Sequence, residues 1–221
     1  MERSDPEITS DIVEALSRDS RVNTARITVS VKDGSVTLYG DAPTLYTTCI
    51  ANQLAACVPG IRMVRNELAV ARQASAPSDA DIKSHAEHIL SWNASIGARK
   101  VRINVTSGSV TLEGEVSAYW QRSRAEALML DIQGVVGVVN KLVVIPELVP
   151  QDQVIATDVE SAIARCSCLR HDTITVEVDN GMVTLSGQVP SWWSKQNTPR
   201  LVESILGVKG VVDQLVVEER D

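Results

Sequence analysis

The sequence of 221 residues contains no Phe, and Trp and Tyr together make up only 3% of it. With 44% hydrophobic residues, its cores must be built from Val, Ile, Leu and Ala, and the place of each aromatic side chain becomes informative. Cationic residues are also short. The formal net charge is −7, which argues against nucleic acid as a partner, because affinity for a phosphate backbone rests on Lys and Arg. The same balance disfavours bulk attraction to an anionic membrane. The acidity is uneven: residues 149–221 carry 11 Asp+Glu against 6 Lys+Arg. No apolar run approaches the roughly 20 residues that span a bilayer. The stretch Met1 to Asp11 is acidic and lacks the basic and then apolar segments of a secretory leader. As written, the sequence reads as a soluble cytoplasmic protein, or a periplasmic one if a leader has been removed.

Cysteine is scarce too, with four residues and no framework. Cys49 and Cys57 lie eight apart on an expected helix, roughly 12 Å along its axis, too far for a mutual bridge. Cys166 and Cys168 form a C-x-C with no partner pair at zinc-site spacing. All four are expected to be small buried or half-buried thiols.

What the chain has is a repeat. Val36-Thr37-Leu38-Tyr39-Gly40, Val110-Thr111-Leu112-Glu113-Gly114 and Val183-Thr184-Leu185-Ser186-Gly187 each follow a turn glycine, Gly34, Gly108 or Gly181. The copies are 74 and 73 residues apart. That period is too long for a solenoid and suits a small domain. Three modules are expected, over residues 1–72, 78–146 and 150–221. A module of about 70 residues is near the lower limit for an independent core, so the modules should lean on one another or on other chains.

Within the first module, Ser4-Asp5-Pro6-Glu7 signals a helix start with Asp5 as cap and Pro6 just inside. Ile8, Ile12, Ala15 and Leu16 recur at helical spacing. Residues 26–31 alternate as a half-buried strand, and Asp33-Gly34 marks a hairpin turn. Strand 36–40 follows, then a helix from Leu45 to Cys57 stopped by Pro59-Gly60. The third strand carries Val64, Asn66, Leu68 and Val70, with Asn66 an exception to its alternation. Residues 71–80 are a small polar linker.

The second module restarts with Ile82, Ala86, Ile89 and Leu90, its second helix running from Tyr119 to Ile132. Pro146 and Pro150 bracket a stiffer second linker. The third module repeats the order with two departures. Pro199 falls in the second helix and should break or kink it, and Asp213 stands where the others have Asn66 and Asn140. The fold class is α+β: three tandem α-β-β-α-β modules, each a three-stranded mixed sheet with two helices on one face. Strands one and two should be antiparallel, and strands two and three parallel across a right-handed crossover.

The order helix, alternating strand, glycine turn, V-x-L-x-G, helix, then G-V-x-x-V-x-N-x-L-x-V resembles the BON domain. Residues 134–144 match the closing motif best; 60–70 match more loosely, with Ile61 where Val is usual, and 207–215 match except at Asp213. The similarity covers nearly all of the chain outside the linkers and extreme termini. BON domains occur in bacterial osmotically inducible proteins, nodulation-related proteins and some membrane-associated secretion components. The resemblance implies a non-enzymatic, stress- or envelope-related binding module that contacts phospholipid surfaces or protein partners. The alternatives are a self-associating, homo-oligomeric scaffold or chaperone-like protein, and a small-ligand-binding accessory protein.

Candidate contact residues are the aromatic pairs at the second-helix starts: Leu45-Tyr46, Tyr119-Trp120 and Trp192-Trp193. Two adjacent bulky residues on a helix cannot face one core, so one of each pair should pack inward and the other be partly exposed. Tyr46, Tyr119, Trp120, Trp192 and Trp193 are therefore candidates for recognition or for inter-module packing. Arg99-Lys100-Val101-Arg102 with Arg122 and Arg124 is the one local basic concentration, able to engage a headgroup phosphate or simply to guard a strand edge. Gly40, Gly114 and Gly187 read as structural, because acidic or apolar turns follow them rather than a phosphate cradle. His85 and His88 lie on one helix face without a legible third ligand, and a Cys168/His171 nucleophile pair lacks an oxyanion hole. No catalytic, cofactor or metal residue is assigned.

Overall fold

The computed structural model describes residues 3–71, 76–96, 101–166, 169 and 173–218. The first module runs α1 (Asp5–Arg18), β1 (Ile27–Lys32), β2 (Ser35–Ala42), α2 (Leu45–Ala56), β3 (Met63–Val70). The second runs α3 (Asp79–Trp92), β4 (Val101–Thr106), β5 (Ser109–Val116), α4 (Tyr119–Leu130), β6 (Gly137–Val144). The third runs α5 (Asp152–Ala164), β7 (Ile174–Asp179), β8 (Met182–Val189), α6 (Trp192–Val202), β9 (Gly210–Val217). In every sheet the middle strand is the one bearing V-x-L-x-G, antiparallel to the strand before it and parallel to the strand after the helix.

Period-two alternation decides the faces. Val36 and Leu38, Val110 and Leu112, and Val183 and Leu185 are fully buried beneath their helices. Burying each such side chain contributes about 1.5–3 kcal/mol. The first helix contributes Ile8, Ile12 and Leu16 in one module, Ile82, Ala86 and Leu90 in the next, and Ile155, Val159 and Ile163 in the last. Three separate buried clusters result, one per module. The residues of β1, β2 and β3 that alternate with these form an uncovered face, and the other sheets repeat the arrangement.

The V-x-L-x-G glycine is needed for close approach. A Cβ at Gly40 would lie 1.9 Å from the Arg26 carbonyl oxygen, and one at Gly187 would lie 2.0 Å from that of Thr173. The hairpin turns Asp33-Gly34, Ser107-Gly108 and Asn180-Gly181 hold both central residues at positive φ, as the primed two-residue turn requires.

Four expectations are corrected. Ser4 rather than Asp5 caps α1, its backbone N–H and hydroxyl donating to Glu7 at 2.9 and 2.8 Å. Asp5 is thereby free for another task. Pro199 does not break α6, which continues through it to Val202. Its missing N–H is only one of the helix's bonds, and Thr198 Oγ1 donates to the Ser194 carbonyl across the same turn at 2.7 Å. Cys49 and Cys57 are free but exposed rather than buried or half-buried, since Cys49 lies off the buried stripe of α2 and Cys57 caps its end. Neighbouring protein still displaces enough water to push both thiols up. Cys166 is disulfide-bonded instead of being a thiol; Cys168 lies outside the described residues.

Asn66 has a physical explanation. Its Nδ2 donates to the Thr48 carbonyl of α2 at 2.8 Å, and its Oδ1 accepts the Leu68 N–H at 3.2 Å. Asn140 repeats this with the Arg122 carbonyl at 2.9 Å and the Leu142 N–H at 3.2 Å. The residue that interrupts the apolar alternation is the tie between the last strand and the second helix.

Candidate functional site

The second helices carry most of the candidate residues, and they meet. Helix α2 packs against both α4 and α6. Leu45, Tyr119 and Trp192 occupy the first position of α2, α4 and α6. Leu45 packs on the buried cluster of the second module. Tyr119 packs on its own cluster and on that of the third. Trp192 packs on the cluster of the first. Each module thus lends its helix-initiating side chain to the next, and the third returns it to the first.

Polar groups line the same junction. Asn52 Nδ2 donates to Gln196 Oε1 at 3.2 Å. Ser123 hydrogen-bonds Glu203, near which Arg200 and Glu126 also lie; burial nevertheless dominates and pushes the Glu203 carboxyl up. Cys49 feels the charges of Arg200 and Glu126.

The remaining candidates are dispersed. Tyr46 packs on its own module's cluster, and its hydroxyl accepts from Arg21 at 3.4 Å. Trp193 is half-buried. Trp120 is 37% exposed. Arg122 donates to the carbonyls of Leu142 and Asn140 at 3.2 and 3.0 Å and lies over the Tyr119 ring. Its counterpart Lys195 does the same with the Leu215 carbonyl and the Trp192 ring. Arg124 is exposed on α4, whereas Arg102 lies on the uncovered sheet face, so the two are not brought together. Arg99, Lys100 and His171 lie outside the described residues.

His85 and His88 are exposed on α3, and the His88 ring sits 5.7 Å from that of Trp92. Among the described residues, no group of three or more His, Cys, Asp or Glu is placed to hold a metal ion. A cavity of about 920 Å³ in the second module has an apolar floor of Leu90, Ile96, Val101 and Ile103, with Glu87 and Glu147 among its lining residues. Among the described residues, no helix is long and apolar enough to cross a membrane.

The uncovered sheet faces carry a pattern that the sequence motifs do not single out. On β6, Val139, Lys141 and Val143 are exposed; on β9, Val212, Gln214 and Val216 are exposed. Val143 is 57% and Val216 52% exposed, a high fraction for β-branched strand residues. Their first-module counterparts on β3 are Arg65, Glu67 and Ala69. Alternation of apolar residues on both faces of the last strand was the available signal. Trp92, outside the repeated aromatic positions, is 78% exposed at the end of α3.

No curated protein matches the chain. Among solved structures, the C-terminal domain of CdsD, a structural protein of the type III secretion system of Chlamydia trachomatis, is similar. The identity is 12% over 98% of this chain and 100% of that one, with a TM-score of 0.27. The periplasmic domain of the inner-membrane protein PrgH of the S. typhimurium type III secretion system matches at 14% identity. That match spans 88% of this chain and 94% of that one, with a TM-score of 0.22. Both scores are low. The family model for the BON domain matches residues 4–72, 78–146 and 151–219. With most of its length accounted for in this way, the chain belongs to the BON-domain family, of which it carries three tandem copies.

Proposed function

We propose that this is a non-enzymatic binding protein, related to envelope or stress function, whose uncovered sheet faces contact a protein partner or a phospholipid surface. One observation carries the reading. Exposed apolar residues stand at equivalent positions on the last strands of two modules, Val139 and Val143 on β6 and Val212 and Val216 on β9. Single exposed apolar residues are ordinary on any surface; a register repeated between modules is what favours a contact face. The aromatic helix starts support it less, since Tyr119 and Trp192 are packed between modules.

Charge favours protein over anionic lipid. The chain is acidic, and Glu177 and Asp179 stand on the uncovered side of the third sheet. The test pairs the wild-type chain with Val143→Glu/Val216→Glu. Both are assayed by flotation with zwitterionic and with anionic vesicles, and by selection from a displayed peptide library. Enriched peptides that the double variant fails to retain, at unchanged thermal stability, support the protein arm, and lost flotation supports the lipid arm. A wild-type chain that neither floats nor enriches peptides would remove the proposal.

A further inference from the structure

The three junctions between modules are alike in contact but not in covalent connection. Leu45 of the first module seats on the second, and Tyr119 of the second seats on the third. In both cases a linker, residues 71–78 or 145–151, joins the two modules concerned. Trp192 of the third module seats on the first, and no peptide joins those two directly. The arrangement is a head-to-tail contact closed by rotation into a three-membered cycle within one chain. Two of its junctions are tethered, and one is a seam.

At that seam the Trp192 ring packs on the cluster containing Ile50, Ala51 and Ala55. Its Nε1 is buried with no hydrogen-bond partner, a desolvation cost that opening would return. Asn52 and Gln196 supply a hydrogen bond across the same seam at 3.2 Å. When the third module swings about residues 145–151, a ring on one side and its apolar seat on the other are uncovered together. A second copy of the chain offers both complements. Closure within the chain is favoured when the tether holds the effective concentration above that of free chains; reciprocal exchange takes over as chains are concentrated.

We propose that the first module's seat for Trp192 is an interaction surface for the third module of a second copy. The protein accordingly interconverts between a closed monomer and a dimer that has exchanged third modules. Exchange preserves the contacts between module bodies and requires rearrangement only of the linker and what it touches, which makes it an economical route to self-association.

A charge-complementation experiment on chains carrying all three modules tests this. One chain carries Asn52→Lys and Gln196→Lys, the other Asn52→Glu and Gln196→Glu. Each sets like charges against each other when it closes on itself, and opposite charges at both seams when it pairs with the other. The expected result by light scattering after chromatography is a species of twice the monomer mass in the mixture only, lost when Trp192→Ala is added to both chains. Trp120→Ala, at the exposed second position of α4 and away from the seam, should leave it intact. A mixture that stays monomeric overturns the proposal, as does a heterodimer indifferent to Trp192→Ala. If the charged variants fail to fold by circular dichroism, tagged and untagged wild-type chains are held together at high concentration. Capture of the untagged chain after dilution then supports exchange, and its absence overturns it.

Discussion

Asp152, at the start of α5, grips the hairpin turn at Gly181: one carboxylate oxygen accepts the Gly181 N–H at 3.0 Å and the other the Asn180 N–H at 2.8 Å. Asp5 does this to Asp33 and Gly34 at 2.9 and 3.2 Å, and Asp79 to Ser107 and Gly108 at 2.7 and 2.8 Å. In each module the helix that begins the fold is tied to the turn joining its first two strands. The turn holds two residues at positive φ, so its amides point outward together and need an acceptor. Asp152→Ala removes that acceptor, and a loss of about 1–2 kcal/mol is expected for charge-assisted bonds at a partly exposed site. Urea unfolding of the parent and variant measures it.

Two glycine substitutions should differ sharply. A Cβ at Gly40 meets the Arg26 carbonyl at 1.9 Å with φ at +115°, whereas at Gly137 the nearest atom is Ser109 Oγ at 3.7 Å. Gly40→Ala is expected to cost roughly 2–4 kcal/mol through clash and backbone strain. Gly137→Ala should stay within about 1 kcal/mol of the parent. Thermal unfolding of the two variants side by side checks the contrast.

The third module invites repair. Asp213 accepts from Leu215 at 2.9 Å but, as a carboxylate, has no N–H for the helix carbonyl that Asn66 and Asn140 reach. The equivalent carbonyl belongs to Lys195, which Pro199 also fails to supply with an N–H. Asp213→Asn restores a donor and should stabilise the chain by about 0.5–1.5 kcal/mol. The same change read from the urea midpoint in a Pro199→Ala background should gain less, because the helix then supplies its own donor.

Glu203 predicts a pH dependence. Burial at the junction of the second helices pushes its carboxyl up from the ordinary 4.5, against the Ser123 hydrogen bond and Arg200. The folded chain therefore holds this proton to higher pH than the unfolded chain does. The stability it contributes is fully present below 4.5 and is lost as pH rises through the folded value. Glu203→Gln should flatten that decline. Asp19 acts in the opposite sense: the Arg21 guanidinium lowers it to about 2, so its contribution is present above 3.8 and lost as pH falls towards 2. Urea midpoints of parent and Glu203→Gln from pH 4 to neutrality should converge at the acid end and separate above it.

Periodicity alone determined the modules, their strands and their turns. The spacing of 74 and 73 residues, the alternation through Val36 and Leu38, and the glycine before each V-x-L-x-G stretch are local constraints, and local constraints survive in one dimension. The order of elements, together with V-x-L-x-G and the closing motif around Asn140, carried the family.

Tertiary structure alone decided what the outward-turned residues touch. Leu45, Tyr119 and Trp192 share one position in the repeat, yet nothing along the chain says that each reaches onto the cluster of another module. That depends on how three independent bodies orient, and orientation is set by shape and charge across surfaces more than a hundred residues apart, as with Asn52 and Gln196. The Asp152 grip was hidden for a related reason. An aspartate beginning a helix looks like a cap, and only the folded hairpin, brought 28 residues back to the helix start, reveals the better claim on its oxygens.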